Sequence, residues 1–80
     1  MKIEVLGPGC DRCHATFDNA RKALAELGVE AELVEVKDLM AIIDKGVYMT
    51  PGLVIDGDKL SEGRVPTKDD IRGWIQARVK

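Results

Sequence analysis

Eighty residues, 45% of them hydrophobic and 32% charged, suffice for one small folded domain spanning residues 1–80 and leave no room for a second. A formal net charge of -2 gives no electrostatic footing for nucleic acid or an anionic membrane, so neither is expected as a partner. The first apolar run, Ile3-Glu4-Val5-Leu6, is too short and interrupted for a signal-sequence core or a membrane span, and a cytoplasmic location is expected.

Lys2 to Leu6 alternates and is β-rich, which predicts a strand ended by Gly7-Pro8-Gly9. Cys13, Phe17, Ala20, Leu24 and Leu27 then recur at spacings of four and three, the signature of one helix face. Gly28 is placed as its stop, with Val29 positioned for the hydrophobic contact that follows such a cap. Glu30 to Val36 suits a parallel strand with room for a bulge, its glutamates Glu30, Glu32 and Glu35 forming a solvated face. Asp38 can cap a short helix carrying Leu39, Ile42 and Ile43, ended by Gly46.

Leu53-Val54-Ile55 reads as a buried strand, and Asp56-Gly57 as a hairpin turn that returns Lys59 to Ser61 antiparallel. Thr67 with Asp70 three residues later has the spacing of a capping box and opens a last helix, with Ile71, Trp74 or Ile75, and Val79 on its apolar face. Met40, Met49 and Trp74 read as core or rim. The order β-α-β-α-β-β-α implies an α/β fold, a four-stranded mixed sheet with helices on both faces.

The chemistry centres on Cys10-Asp11-Arg12-Cys13, at a strand-to-helix junction. A structural disulfide there would close a very small ring, for which chain entropy gives only ~2 kcal/mol against ~3 for a fifteen-residue loop. Exchange chemistry needs something else: one exposed, ionised thiol and a second close enough to resolve the mixed disulfide. The unpaired N–H groups of a helix start favour a thiolate at Cys10, while Cys13 falls one turn further on, on the apolar face. Arg12 adds positive charge and Asp11 opposes it, and His14 reads as a surface residue. Thr50-Pro51 stands directly before an apolar strand, where proline removes a ladder donor; a cis peptide bond would explain its place.

Taken together, the first strand, Cys10-x-x-Cys13 opening a long helix, Thr50-Pro51 before the third strand, the hairpin and the closing helix resemble the thioredoxin/glutaredoxin superfamily. The chain looks most like its short, glutaredoxin-sized prokaryotic members, the redox-active disulfide proteins. The resemblance implies a truncated thioredoxin-like fold and a thiol–disulfide oxidoreductase with no bound cofactor. It implies that Cys10 attacks and Cys13 resolves. It also implies that Pro51 is a cis-proline beside the disulfide that keeps metal off the dithiol, and that the Thr50 backbone pairs with bound peptide. The partners it implies are protein disulfides and an upstream reductase like thioredoxin reductase. A modestly stabilised thiolate in a reducing cytoplasm would rest mostly as the dithiol and act as a reductant, and a monomer is expected.

The chain also departs from the family's patterns. Gly9 stands where thioredoxins proper carry Trp, and Asp11-Arg12 where they carry Gly-Pro. No counterpart of their buried Asp is evident, which leaves the proton acceptor for Cys13 unassigned. Gly63-Arg64-Val65-Pro66-Thr67 replaces the Gly-Gly and acidic stretch of glutaredoxins, which speaks against a glutathione site.

Three other readings of the cysteines were weighed. Two inert buried thiols fit poorly with an electropositive helix start. The same pair can hold soft metal, copper or zinc, as in small carrier modules, but those chains end in a strand rather than a capped helix. Cys10 to His14 also matches a c-type haem attachment pattern, which would need export and a large apolar pocket. Tyr48 and Met49, just before Thr50, are candidates for a substrate-docking surface.

Overall fold

The computed structural model describes residues 1–9 and 11–79; Cys10 and the C-terminal Lys80 lie outside the described residues. Four strands, β1 (Lys2–Leu6), β2 (Glu32–Val36), β3 (Gly52–Ile55) and β4 (Asp58–Glu62), form one mixed sheet in the order β2-β1-β3-β4. Three helices, α1 (Asp11–Leu27), α2 (Leu39–Asp44) and α3 (Lys68–Arg78), are packed on it. β1 runs parallel to β2, as a crossover through a long helix requires, and antiparallel to β3. The parallel β1–β2 register is regular, and the one irregularity lies between Leu53 and Val54 in the β3–β4 pair.

Strand alternation divides the interior. Ile3, Val5, Leu53 and Ile55 face α1 and α3, where they meet Ala20, Ala23, Leu24, Ile71 and Ile75. Leu6 and Val54 face the other way, against Ile42 of α2 and Val47. α1 turns a slightly different face inward than the apolar spacing predicts. Thr16, rather than Phe17, is fully buried, because its hydroxyl donates to the Arg12 carbonyl (2.9 Å) and so needs no solvent.

Local signals set the element ends. Thr67 and Asp70 form a reciprocal capping box at the start of α3, and Asp38 caps α2 by accepting from the Ala41 N–H. Asp56 and Gly57 both adopt positive φ, 49° and 88°, the pairing that a two-residue hairpin with native strand twist needs. α2 is less buried than its composition suggests, since only Ile42 is covered while Leu39, Met40 and Ile43 stay exposed.

Candidate active site

The site gathers where β1 ends, α1 begins, and the chain enters β3. Gly7 and Gly9 bracket the approach to α1, and the sequence places Cys10 between Gly9 and Asp11, the first residue of the helix. Cys13 lies one turn in and is buried, 2% exposed. Its sulfur is packed so tightly on Gly7 that a Cβ built there would stand 2.2 Å from Cys13 Sγ and 3.5 Å from Thr50 Cβ. Gly7 is therefore the slot in which α1 and the Thr50 turn close on each other. Sequence inspection reads it only as a strand breaker.

The Thr50–Pro51 peptide bond is cis. Pro51 is buried and Thr50 half-buried, and Gly52 follows because Val47 fills the space a side chain would need: a Cβ on Gly52 would meet Val47 Cγ1 at 2.6 Å. The turn is held from β4. The Gly63 N–H donates to the carbonyls of Met49 (2.9 Å) and Pro51 (3.0 Å), and the Glu62 carboxylate accepts from the backbone N–H groups of Tyr48 (2.5 Å) and Met49 (3.2 Å). Lys59 adds an ammonium to the same carboxylate at 2.9 Å and also donates to the Gly46 carbonyl. These bonds, led by the Tyr48 N–H and then Lys59, hold the Glu62 carboxyl down at about 2, from 4.5.

Arg12 reaches beyond its own helix. Its guanidinium crosses from α1 and donates to the Gly63 carbonyl at 2.7 Å. One backbone unit, Gly63, thus joins the first turn of α1 to the Thr50–Pro51 turn. Tyr48 and Met49, on that turn, are exposed (76% and 65%), as is Met40 on α2 (65%), so both methionines lie outside the core.

Two charged clusters flank this frame, neither visible in the sequence pattern. On the α1 side, His14 Nδ1 stands 3.8 Å from Glu35, and Lys37 Nζ lies 3.5 Å from the same carboxylate. The Lys37 stem runs over Gly9, with Nζ 3.6 Å from where a Gly9 Cβ would be. Glu35 is consequently half-buried and paired rather than part of an open solvated face. On the α2 face Glu4 is buried, 5% exposed, and paired with Lys45 at 3.0 Å. A lone Glu in an apolar strand gives no hint of a partner forty-one residues away.

Cys13 buried near the start of α1 and a cis Thr50–Pro51 bond just before β3, on this mixed sheet, suit a thiol–disulfide oxidoreductase. The comparisons agree. Residues 1–76 match the family model described as a thioredoxin domain, and the chain belongs to that family. It is 40% identical over 72 residues to a thioredoxin of Methanothermobacter thermautotrophicus, covering 90% of this chain and 94% of the relative. A thioredoxin of Methanocaldococcus jannaschii is 39% identical over 78 residues, 98% of this chain and 90% of the relative. Neither relative is named for metal carriage, so the metal-carrier alternative gains no support. Among the described residues no helix is long and apolar enough to cross a membrane.

Proposed function

We propose that the chain is a cytoplasmic reductant of protein disulfides that works through Cys10 and Cys13. The Cys10 thiolate attacks a substrate disulfide, forming a mixed disulfide and releasing one substrate thiol. Cys13 then attacks Cys10 Sγ, which closes the Cys10–Cys13 disulfide and frees the second substrate thiol. Two electrons and two protons pass to the substrate, and an upstream reductase of the thioredoxin reductase type returns them. No bound cofactor takes part.

The observation that carries this reading is the setting of Cys13. It is buried one turn into α1, against Gly7 and beside the Thr50 turn, as suits a thiol that attacks only a neighbour. Pro51 and Thr50 shape the surface onto which extended peptide is laid, and Arg12 fixes that surface relative to α1.

Variants of the two cysteines test the roles. Cys10→Ser should abolish reduction of a protein disulfide. Cys13→Ser should accumulate a mixed disulfide between Cys10 and substrate, visible by mass under non-reducing conditions. Full activity in the Cys10→Ser protein would overturn the assignment.

A further inference from the structure

β4 has five residues against the four of β3. Leu53 lies opposite Ser61 and Val54 opposite Lys59, so Leu60 is the extra residue of a bulge. A bulge re-aims side chains. Residues three apart in a regular strand point to opposite faces of the sheet. Here Glu62 is opposite Gly52 and Lys59 opposite Val54, two positions on the same face of β3, so both side chains leave the sheet on the α2 side. They meet there at 2.9 Å. The other face bears a cost. Leu60 packs toward the α1/α3 core, and Ser61, opposite Leu53, buries a hydroxyl that has no hydrogen-bond partner among the described residues.

What the bulge brings together is a clamp on the segment that leads into Pro51. One Glu62 oxygen accepts from both the Tyr48 N–H (2.5 Å) and the Met49 N–H (3.2 Å). The other oxygen takes the Lys59 ammonium, which also donates to the Gly46 carbonyl at 3.1 Å. The next residue, Gly63, donates its N–H to the carbonyls of Met49 and Pro51. Main-chain groups on either side of Thr50 are thus held by two consecutive residues at the end of β4. With their N–H groups drawn inward, Tyr48 and Met49 stand with their side chains in solvent.

We propose that Glu62 is a positioning residue for substrate binding: it fixes the Tyr48–Met49 backbone so that Thr50 meets an extended peptide in one conformation, with Lys59 orienting the carboxylate. The proposal rests on the reading of the Thr50–Pro51 turn as the surface that receives substrate. A turn already fixed loses little freedom when a peptide docks on it, which lowers the cost of binding. Thiol–disulfide exchange itself needs only thiols and a disulfide within reach, so it gains little from the clamp. Affinity for a protein disulfide should therefore depend on Glu62 far more than turnover at saturation does. A small disulfide, which lays no backbone along the turn, should depend on it little.

The experiment uses the full chain and three readouts: steady-state reduction of insulin with dithiothreitol as donor, reaction of the pre-reduced protein with the small neutral disulfide dithiodipyridine, and amide hydrogen exchange. In Glu62→Ala the KM for insulin should rise about three- to tenfold, the scale of one net hydrogen bond, while kcat and the dithiodipyridine rate fall by a factor of about two at most. The Tyr48 and Met49 amides should exchange faster, with those of β1 and β3 unchanged as the check on folding. Glu62→Asp, which keeps a carboxylate, should recover part of the loss. Lys59→Met should fall between Glu62→Ala and wild type, since the carboxylate still accepts from both N–H groups. Arg78→Met, which breaks the pair with Asp58 at the other end of β4, should leave all three readouts as they were. An unchanged KM in Glu62→Ala, or Tyr48 and Met49 amides exchanging at the wild-type rate, overturns the proposal. Equal losses of kcat on insulin and of the dithiodipyridine rate would mark a general structural role and overturn it as well. A wild-type chain that reduces neither disulfide overturns the oxidoreductase reading, and the proposal with it.

Discussion

The two faces of the sheet are built to different standards. On the α1/α3 face, four strand residues meet five helical ones in an apolar core, ringed by Phe17, Leu27, Leu33, Leu60 and Trp74. Ion pairs knit the two helices at its edge, with Glu26 bound by both Lys68 (2.5 Å) and Arg72 (2.7 Å). The α2 face has only Leu6, Ile42, Val47 and Val54, supported by Val36, and it encloses the Glu4–Lys45 pair. Most of the apolar burial that stabilises the fold is therefore on one side, while the thin side carries a helix of six residues. Cys13 is carried by α1, a helix of the thick side, and the Thr50–Pro51 turn lies between Val47 of the thin core and Leu53 of the thick one.

The contrast can be broken first in the cores. Ile71→Ala on the thick face removes a fully buried side chain from between rigid neighbours, and should cost about 3–5 kcal/mol in denaturant unfolding. Ile42→Ala should cost nearer to ~2 kcal/mol, because a short helix can settle into the space left behind. Equal losses would show that α2 is held as firmly as α1 and α3.

A smaller effect is expected at the buried ion pair. Lys45→Met leaves the Glu4 carboxylate without its partner and should destabilise by about 1–3 kcal/mol, less than a fully buried pair because Lys45 itself is partly in water. Restoring neutrality with Glu4→Gln in the same chain should recover part of the loss. A Lys45→Met protein as stable as wild type would mean that water reaches Glu4.

At the turn between the faces, the test is pH. The Glu62 carboxyl titrates at about 2 in the folded protein against 4.5 when unperturbed, so its ionised form favours folding. That contribution is complete above about 4.5 and is lost as the pH falls toward about 2. Glu62→Gln lacks it throughout. The stability gap between the two proteins should therefore narrow as pH falls through this window, and a gap independent of pH would show that the braces on Tyr48 and Met49 contribute nothing. The smallest change is at Ser61, whose buried hydroxyl has no hydrogen-bond partner among the described residues. Ser61→Ala should be neutral or stabilising by up to about 1 kcal/mol, since it removes an unsatisfied polar group.

What the sequence reveals of this molecule is what neighbours in the chain decide. The strand at Lys2–Leu6, the Asp56-Gly57 hairpin and the Thr67–Asp70 box all depend on residues within a few positions, and each appears where the local pattern puts it. Periodicity finds α1 but cannot choose between Phe17 and Thr16 as an inward residue, because a back-bonded threonine hides its polarity. It also overstates the burial of α2, since Leu39 and Ile43 fit a helix face that the thin core does not reach. In the site, the dithiol spacing and Thr50-Pro51 stand out by residue type alone. Arg12 meets Gly63 fifty-one positions away, and Tyr48 meets Glu62 fourteen away. Such contacts are made by the register of β3 and β4 and have no one-dimensional signature.

The bridge from Arg12 to Gly63 has a consequence for assembly. The chain divides at the site into a leading half, β1-α1-β2, and a trailing half, β3-β4-α3. The dithiol lies in the first and the cis-proline turn in the second. Ladder bonds between β1 and β3, the Arg12–Gly63 bond and the Asn19–Pro66 bond (2.9 Å) cross the divide near the site. Neither half by itself brings the start of α1 against the Thr50–Pro51 turn, so that arrangement exists only once the two halves have docked. A chain caught before that step, with α1 already coiled and the hairpin already closed, would have every local element in place and still lack the junction between α1 and the Thr50–Pro51 turn.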